Sequence, residues 1–548
     1  MLNIKSAYFY FLAIKINLIK TIKKIYFTTN FYNKTLQSKT PRQFSFYPNP
    51  FLLSSLTNYK NFSFKISNID TDIFWTSKNA RKEEENIHSF LWLNLIDRKN
   101  DKSVIQKIIT IWIYKNSKYK KIIWDSSIIS KRIISWIINA DIILSKTDNL
   151  FKNDFYRTTV IQANHLKKNL IFENDFLKRI EIITAIILVG LVFKEYENFY
   201  LEGSRDLESL VKDYFDKDGF PLNRNPSHLL ITCKYLVLIK ECIKDAHKYV
   251  PDFLDDIVDK SLSCLSAIKT PKNELPLFNG ATEISLEEFF KYVEGLDYKL
   301  KKNLFDVGKL KILKYKNDII YFDFGACPKK KFSSNYQSGP LSFEYFYDKE
   351  KIISNCGFGF NISKKAELLS RFTSAQSTLC INDTSIIKFE RNKIINSAFG
   401  NSTKETFKIL NYEYSEKENA IKVEASHNAY SRLFGCIHNR IIKIDKKMNI
   451  FYGEDTIIND NKLIKNIPFN IRFHLYPGIR AVKTIGGDSI LIQTPKNRSL
   501  VFTAKEQLMS VEKSIFLGGN KILNNLCINI SGNININKKV NWEIKKDS

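Results

Sequence analysis

No two of the eight cysteines in this 548-residue chain stand in a CxxC pair. Cys233, Cys242, Cys264, Cys327, Cys356, Cys380, Cys436 and Cys527 are scattered, several inside apolar runs such as Leu262–Ile268. They read as buried free thiols, and nothing in their pattern demands an oxidising compartment. Long apolar runs are also missing: beyond the N-terminus the longest, Ile182–Phe193, is too short to span a bilayer. No Gly-rich phosphate loop, HExxH or GxSxG is present, so nucleotide, zincin and serine-hydrolase readings have no support. The apolar run Ala7–Ile14 is followed by Lys15, Lys20, Lys23 and Lys24 and by no small-x-small cleavage site. That argues against a signal peptide and for a basic amphipathic helix, either resting on a membrane surface or packed on the protein. A soluble or peripheral protein is expected.

Hydrophobic residues make up 44% of the chain and aromatics 13%, enough for a large core, and the length calls for two or three domains. The formal charge of +27 has the sign of a nucleic-acid binder. Ile and Asn are abundant alongside Lys, however, and all three are encoded by AT-rich codons. The lysines are spread along the chain as ordinary helix and loop surface, which codon bias alone explains. An acidic polysaccharide, an anionic membrane surface and nucleic acid are the competing readings, the last resting on charge alone.

The first half reads as helices. Val104–Tyr114, Ile129–Leu144, Phe176–Phe193, Leu207–Phe215, His228–Ile243 and Phe253–Ile268 carry apolar residues at helical spacing, punctuated by Asp218-Gly219 and Asn225-Pro226. Trp75, Trp92, Trp112, Trp124 and Trp136 cluster there, and at helical spacing they read as core more readily than as sugar platforms. From about residue 309 the period changes to short alternating runs: 318–325, 341–348, 421–426, 441–445, 469–477, 489–494 and 499–504. Many short strands separated by Gly, Asn and Asp turns argue a β-sandwich. The switch falls near residues 295–310.

An ordered set of segments resembles the heparinase II/III family, in particular its alphaproteobacterial branch. In the helical half these are WDSSIISKRIISWIINADIIL (124–144), ENDFLKRIEIITAIILVGLVF (173–193), DGFPLNRNPSHLL (218–230) and LFNGATE (277–283). In the β half they are GPLSFEYF (339–346), RFTSAQSTLCINDTS (371–385), ASHNAYSRLFGCIHNRII (425–442), GEDTI (453–457) and RFHLYP (472–477). The resemblance implies an α+β multidomain chain in which an incomplete (α/α) toroid, residues 76–300, precedes an antiparallel β-sandwich, residues 305–548. Residues 1–75 are expected to form an N-terminal basic, amphipathic segment. The substrate cleft would lie between toroid and sandwich.

The resemblance also implies β-elimination on uronic-acid polysaccharides. That reaction needs donors to neutralise the uronate, a base for its α-proton and an acid for the leaving oxygen; Tyr and His usually serve. Many members hold a structural zinc through His and Asp. Against that pattern Asn174 is kept, but Asp175 replaces a His, and His228 stands near the place of a Tyr. Gln337, Asn355 and Gln376 occupy the three places of the zinc-binding His, Asp and His. Neutral amides are poor zinc ligands, so no metal and no cofactor are expected, with the three amides hydrogen-bonding one another instead.

Candidate acid–base residues are His427 and Tyr430, which share the segment Ser426–Tyr430, together with Asn174; a loop that merely caps a strand is the alternative. Arg224, Asn225, His228, Arg371 and His438 are the candidate substrate contacts. The two arginines could neutralise a carboxylate bidentately or form salt bridges, and His228 could cap its helix. His474 reads as a sandwich residue, and Glu454-Asp455 as turn chemistry at a strand end, or a base or cation site. The functional expectation is a polysaccharide lyase acting on acidic glycans of the bacterial envelope or periplasm, although a cytoplasmic location fits the missing signal peptide. Its alternative is a non-catalytic relative that binds acidic glycan or serves in envelope assembly. The expected partner is an acidic polysaccharide, with no nucleic acid and with peripheral membrane contact through the N-terminal segment.

Overall fold

A computed structural model describes residues 4–57, 81–99, 102–247, 249–300, 306–459 and 466–546. Trp75 and the expected boundary at 75–76 lie outside these residues. The chain groups into two compact units. The first comprises residues 1–215, 230–261 and 288–298; the second comprises 216–229, 262–287 and 299–548. Two loops of the helical half therefore belong with the β half, so the division is not a single cut near residue 300. Hydrogen bonds explain this: Glu283 N donates to Gly518 O (2.8 Å), and Arg224 Nε to Gly308 O (3.2 Å).

The first unit is helical. Helix Phe176–Val192 is apolar on every side, and thirteen of its residues are buried. Such a helix must be surrounded, and helices Ser126–Ile138, Asn149–Leu170 and Glu197–Tyr214 pack against it. Three aspartates start these elements. Asp125, Asp148 and Asp175 each accept a hydrogen bond from a backbone N–H of the first turn of the helix that follows, helices Ser126–Ile138, Asn149–Leu170 and Phe176–Val192 in turn. Asp175, standing where a His was expected, thus serves as a helix cap. Trp92, Trp112, Trp124 and Trp136 are all buried, with Phe90, Trp112 and Trp136 meeting edge to face. Among the described residues no helix is long and apolar enough to cross a membrane.

The second unit holds two antiparallel sheets. One runs in the order Asp306–Val307, Leu310–Tyr315, Asp318–Asp323, Phe343–Tyr347, Glu350–Ser354, Ile467–Leu475, Leu523–Ile534, Leu508–Phe516, with Leu379–Ile381 added on Ile467–Leu475. The other runs Arg480–Lys483, Ser489–Gln493, Ser499–Thr503, Lys538–Lys546, Ile450–Asn459, Cys436–Asp445, Ala420–His427, Ile409–Glu416. Strand Cys436–Asp445 alternates buried and half-buried residues without a break, the period-two signature of one face turned inward. The sheets meet through aromatics: Phe343 stacks on Trp542 at 5.6 Å, and Phe473 meets Trp542 at 4.9 Å and Phe502 at 5.0 Å. All eight cysteines are buried and free.

Gly453 sits in mid-strand opposite Trp542, so Glu454 and Asp455 lie within a strand and not in a turn. A Cβ at Gly453 would stand 1.9 Å from the Trp542 ring. Gly453→Ala is expected to lower stability by roughly 1–3 kcal/mol or more, because the indole has no free space to retreat into. Thermal melting checks this; an unchanged melting temperature would show that the indole has room to move.

Candidate functional site

Strand Ala420–His427 ends on His427, and its neighbour Cys436–Asp445 presents His438 and Arg440 two residues apart on the same inward face. Arg440 pairs in register with Asp455 on the next strand. The result is a continuous internal chain. Ala429 N–H donates to His427 Nδ1 (3.2 Å), His427 Nε2 lies 3.4 Å from His438 Nδ1, and His438 Nε2 lies 2.6 Å from Asp455 Oδ1. One tautomer assignment satisfies every link: each imidazole carries its proton on Nε2 and accepts on Nδ1.

Arg440 donates to Asp455 through Nε (2.7 Å) and Nη2 (3.1 Å), and through Nη1 to the carbonyls of Leu341 and Ser377. Trp542 Nε1 adds a further bond to Asp455 (2.9 Å). Burial pushes the Asp455 carboxyl up, but Arg440 and His438 outweigh it and hold the group well below the usual carboxylate range. Burial holds both imidazoles below their ordinary range, against Asp455 and with Arg440 for His438, and with His438 and Arg440 for His427, so both are neutral. The ion pair is therefore Asp455–Arg440, with the imidazoles as neutral spacers.

This geometry changes the reading of His427, Tyr430 and His438. All three have 0% exposure. The Tyr430 hydroxyl donates to Leu379 O (3.1 Å) and accepts from Ile381 N (3.2 Å), which fastens the short strand Leu379–Ile381. Burial drives its pKa well up, away from acid–base work near neutrality. A catalytic His and Tyr must reach the substrate, whereas these two reach only the protein interior. In this arrangement His427 and Tyr430 hold the strand ends together through the bonds given above.

The arginines are likewise turned inward. Arg371 has no exposure and donates to three carbonyls, Tyr336 O (2.9 Å), Asn401 O (2.6 Å) and Ser333 O (3.0 Å), with its guanidinium 4.0 Å over Phe389. Arg224 pairs with buried Asp323 and donates to Gly308 O and Ala326 O. Neither guanidinium is left to bind a uronate. Asn225 caps helix Pro226–His247, accepting from Ser227 N at 2.8 Å. His474 is buried between Ser514 (3.0 Å) and Ser374 O (3.0 Å), and burial lowers its pKa to about 4.

The three amides stand together as expected, but they bond to backbone and not to one another. Gln337 accepts from Gly280 N (2.9 Å) and donates to Gly357 O (3.0 Å) and Ser370 O (2.8 Å). Gln376 donates to the same Ser370 O (2.9 Å). Asn355 accepts from Ser377 N (2.9 Å) and donates to Leu277 O (3.2 Å). The amides thus tie four loops together with the geometry of neutral donors and acceptors. Among the described residues no group of three or more His, Cys, Asp or Glu is placed to hold a metal.

Two features remain open to solvent. In the second unit His228 is half-buried, with Nδ1 2.7 Å from the Asn223 amide and Nε2 3.2 Å from the Asn335 amide. In the first unit a cavity of about 730 Å³ is lined by Lys24, Lys121, Lys131 and Lys178 against the carboxylates Glu85 and Asp125. Trp124, Tyr119 and Phe27 give it aromatic walls. Burial would lower the pKa of Lys178, but Asp125, Glu173, Asp175 and Glu181 outweigh it and keep the ammonium charged. Asn174, exposed just ahead of helix Phe176–Val192, lies close in sequence to Lys178. The cavity lysines come from four separated segments, and no linear motif announces them.

A helical domain ahead of a two-sheet antiparallel sandwich is a fold found among known proteins. Residues 299–543 match the family described as heparinase II/III-like, C-terminal. That match makes the second unit's sandwich heparinase II/III-like, and the chain as a whole shares its fold with solved heparinase III structures. A heparinase III crystal structure superposes with a TM-score of 0.66 at 14% identity, covering 97% of this chain and 91% of that one. The heparan sulfate lyase HepC of Pedobacter heparinus gives 0.64 at 12% identity, covering 89% and 80%. At such identities the likeness is one of fold. FtsZ-localized protein C of Caulobacter vibrioides is 25% identical over 182 residues, and the match spans 31% of that protein and 32% of this chain.

Proposed function

We propose that this chain binds acidic polysaccharide on a lyase scaffold without cleaving it. The observation that carries this reading is the complete burial of His427 and Tyr430, the residues best suited to acid and base, while charged lysines line an open cavity in the helical unit. A cavity of that volume is of the size that encloses a small ligand or a few sugar units. Lysine ammonium groups complement uronate or sulfate charge, and the half-buried Tyr119 ring offers an apolar face to sugar C–H groups. The setting we propose is the bacterial cell envelope; recovery of the tagged chain wholly in the cytosolic fraction would contradict it.

Calorimetric titration with a uronate polysaccharide and a neutral one tests the binding. Preference for the uronate is expected, with Lys24→Ala/Lys121→Ala weakening it by about tenfold as two charge contacts are lost. Equal affinity for both polymers, or no effect of the lysine changes, sinks the reading. A second reading keeps the lyase and rests on His228, a half-buried imidazole among amides. Ultraviolet absorbance separates the two, because β-elimination leaves a conjugated, absorbing uronate. A rise that His228→Ala abolishes would establish the lyase; no rise together with uronate binding establishes the binder.

A further inference from the structure

The 24-residue helix Ile4–Phe27 presents two unlike faces. Ala13 is buried, and Phe9, Leu12, Ile16 and Phe27 are half-buried on the same side. Along the other side run Tyr8, Phe11, Ile14, Leu18, Ile22 and Ile25, exposed by 65, 68, 40, 58, 56 and 67%. Their spacing of three and four residues makes one continuous apolar ridge. Phe31 of the next short helix, 68% exposed and 6.4 Å from the Tyr26 ring, extends it. Isolated exposed apolar residues need no explanation, but a contiguous ridge of this length marks a contact surface.

Charge identifies what the ridge meets. The helix carries Lys5, Lys15, Lys20, Lys23 and Lys24 and no acidic residue. No Asp or Glu precedes Asp70, whereas ten Lys and Arg do. Lys15 is exposed and flanks the ridge, while Lys20 and Lys24 lie on the other side of the helix, Lys24 at the cavity of the helical unit. Two copies brought together here would oppose net positive charge on both sides, with no carboxylate in the helix to answer it. An anionic lipid surface meets both requirements at once, taking the apolar side chains below the headgroups while the net positive charge of the helix draws it to the phosphates.

We propose that helix Ile4–Phe27 docks this protein on the surface of an anionic membrane, with Tyr8, Phe11, Leu18, Ile22 and Ile25 inserted at the headgroup boundary. The helix lies in the interface plane. Its attachment is reversible and salt-sensitive, because part of the attraction is electrostatic.

Co-sedimentation of the full chain with vesicles tests this. The protein is expected to pellet with phosphatidylcholine–phosphatidylglycerol vesicles, to remain in solution with phosphatidylcholine alone, and to be released by raised salt. Phe11→Asp/Leu18→Asp is expected to weaken binding by about tenfold or more, since it withdraws two large apolar side chains and adds like charge to the lipid. Both positions are exposed, and an unchanged circular dichroism spectrum and melting temperature would show that the variant is folded. Failure of the native chain to pellet with anionic vesicles overturns the proposal. So does equal pelleting of the ridge variant, or ridge-dependent dimerisation without lipid binding.

Discussion

Replacing Asp455 with alanine is expected to cost about 3–5 kcal/mol, because it strands a buried guanidinium in the sandwich. Asp455 accepts from Arg440 Nε and Nη2, His438 Nε2 and Trp542 Nε1 at once, so its removal takes the acceptor from four buried donors. Folded domains are stable by only about 5–15 kcal/mol, so the variant should be recovered poorly or melt far below the native protein. Asp455→Asn keeps one acceptor oxygen but removes the charge, and should fall between the two. Arg440→Met in the Asp455→Leu background removes both charges together and is expected to recover part of the loss, as paired apolar replacements of buried ions do. Chemical denaturation of the four proteins measures this. If Asp455→Ala were as stable as the native chain, the ion pair would not be what holds these strands together.

Mild acid is expected to destabilise the protein before its carboxylates titrate. His165, His427, His438 and His474 are all buried. Burial lowers the pKa of each; it is about 3 for His165 and about 4 for His474. A histidine whose folded pKa lies below its unfolded value of about 6.5 contributes its full stability above that value and loses it as pH falls toward the folded pKa. Each such group costs about 1.4 kcal/mol per pH unit in that window, so His165 and His474 together cost roughly 4 kcal/mol by pH 5, and His427 and His438 act in the same direction. Asp455 has the opposite history: its depressed pKa contributes stability above the ordinary carboxylate range that is lost only at lower pH. The melting temperature should therefore fall steeply between pH 6.5 and 5, with proton uptake on unfolding. A melting temperature that stays level to pH 5 would mean that these imidazoles gain protons without unfolding the chain.

Much of the fold is legible in the sequence. Helical spacing over Phe176–Phe193 corresponds to the central helix Phe176–Val192, and alternation over residues 469–477 to strand Ile467–Leu475. Helix Asn149–Leu170 escapes such reading because Thr, Gln and His are interspersed through its buried face, where His165 bonds to Tyr32 and Gln162 Oε1 accepts from Arg132. Strand Ile450–Asn459 escapes it because Gly453, Glu454 and Asp455 look like a turn, although Gly453 only makes room for Trp542.

The candidate site was less legible than the fold, and the reason is physical. Residue type names a chemistry, but exposure decides whether that chemistry reaches a ligand. His427, Tyr430, Arg224 and Arg371 carry the groups a lyase needs, and the sandwich turns each of them toward its own carbonyls, carboxylates and rings. By itself the sequence determined the periodicities, the order of helical and β halves, the amides in place of metal ligands, and the basic amphipathic start. Only the tertiary structure decided that two loops of the helical half join the sandwich, that the polar chain from His427 to Asp455 is sealed, and that four distant lysines share one cavity. Those outcomes depend on contacts between residues far apart in the chain, which local spacing does not encode.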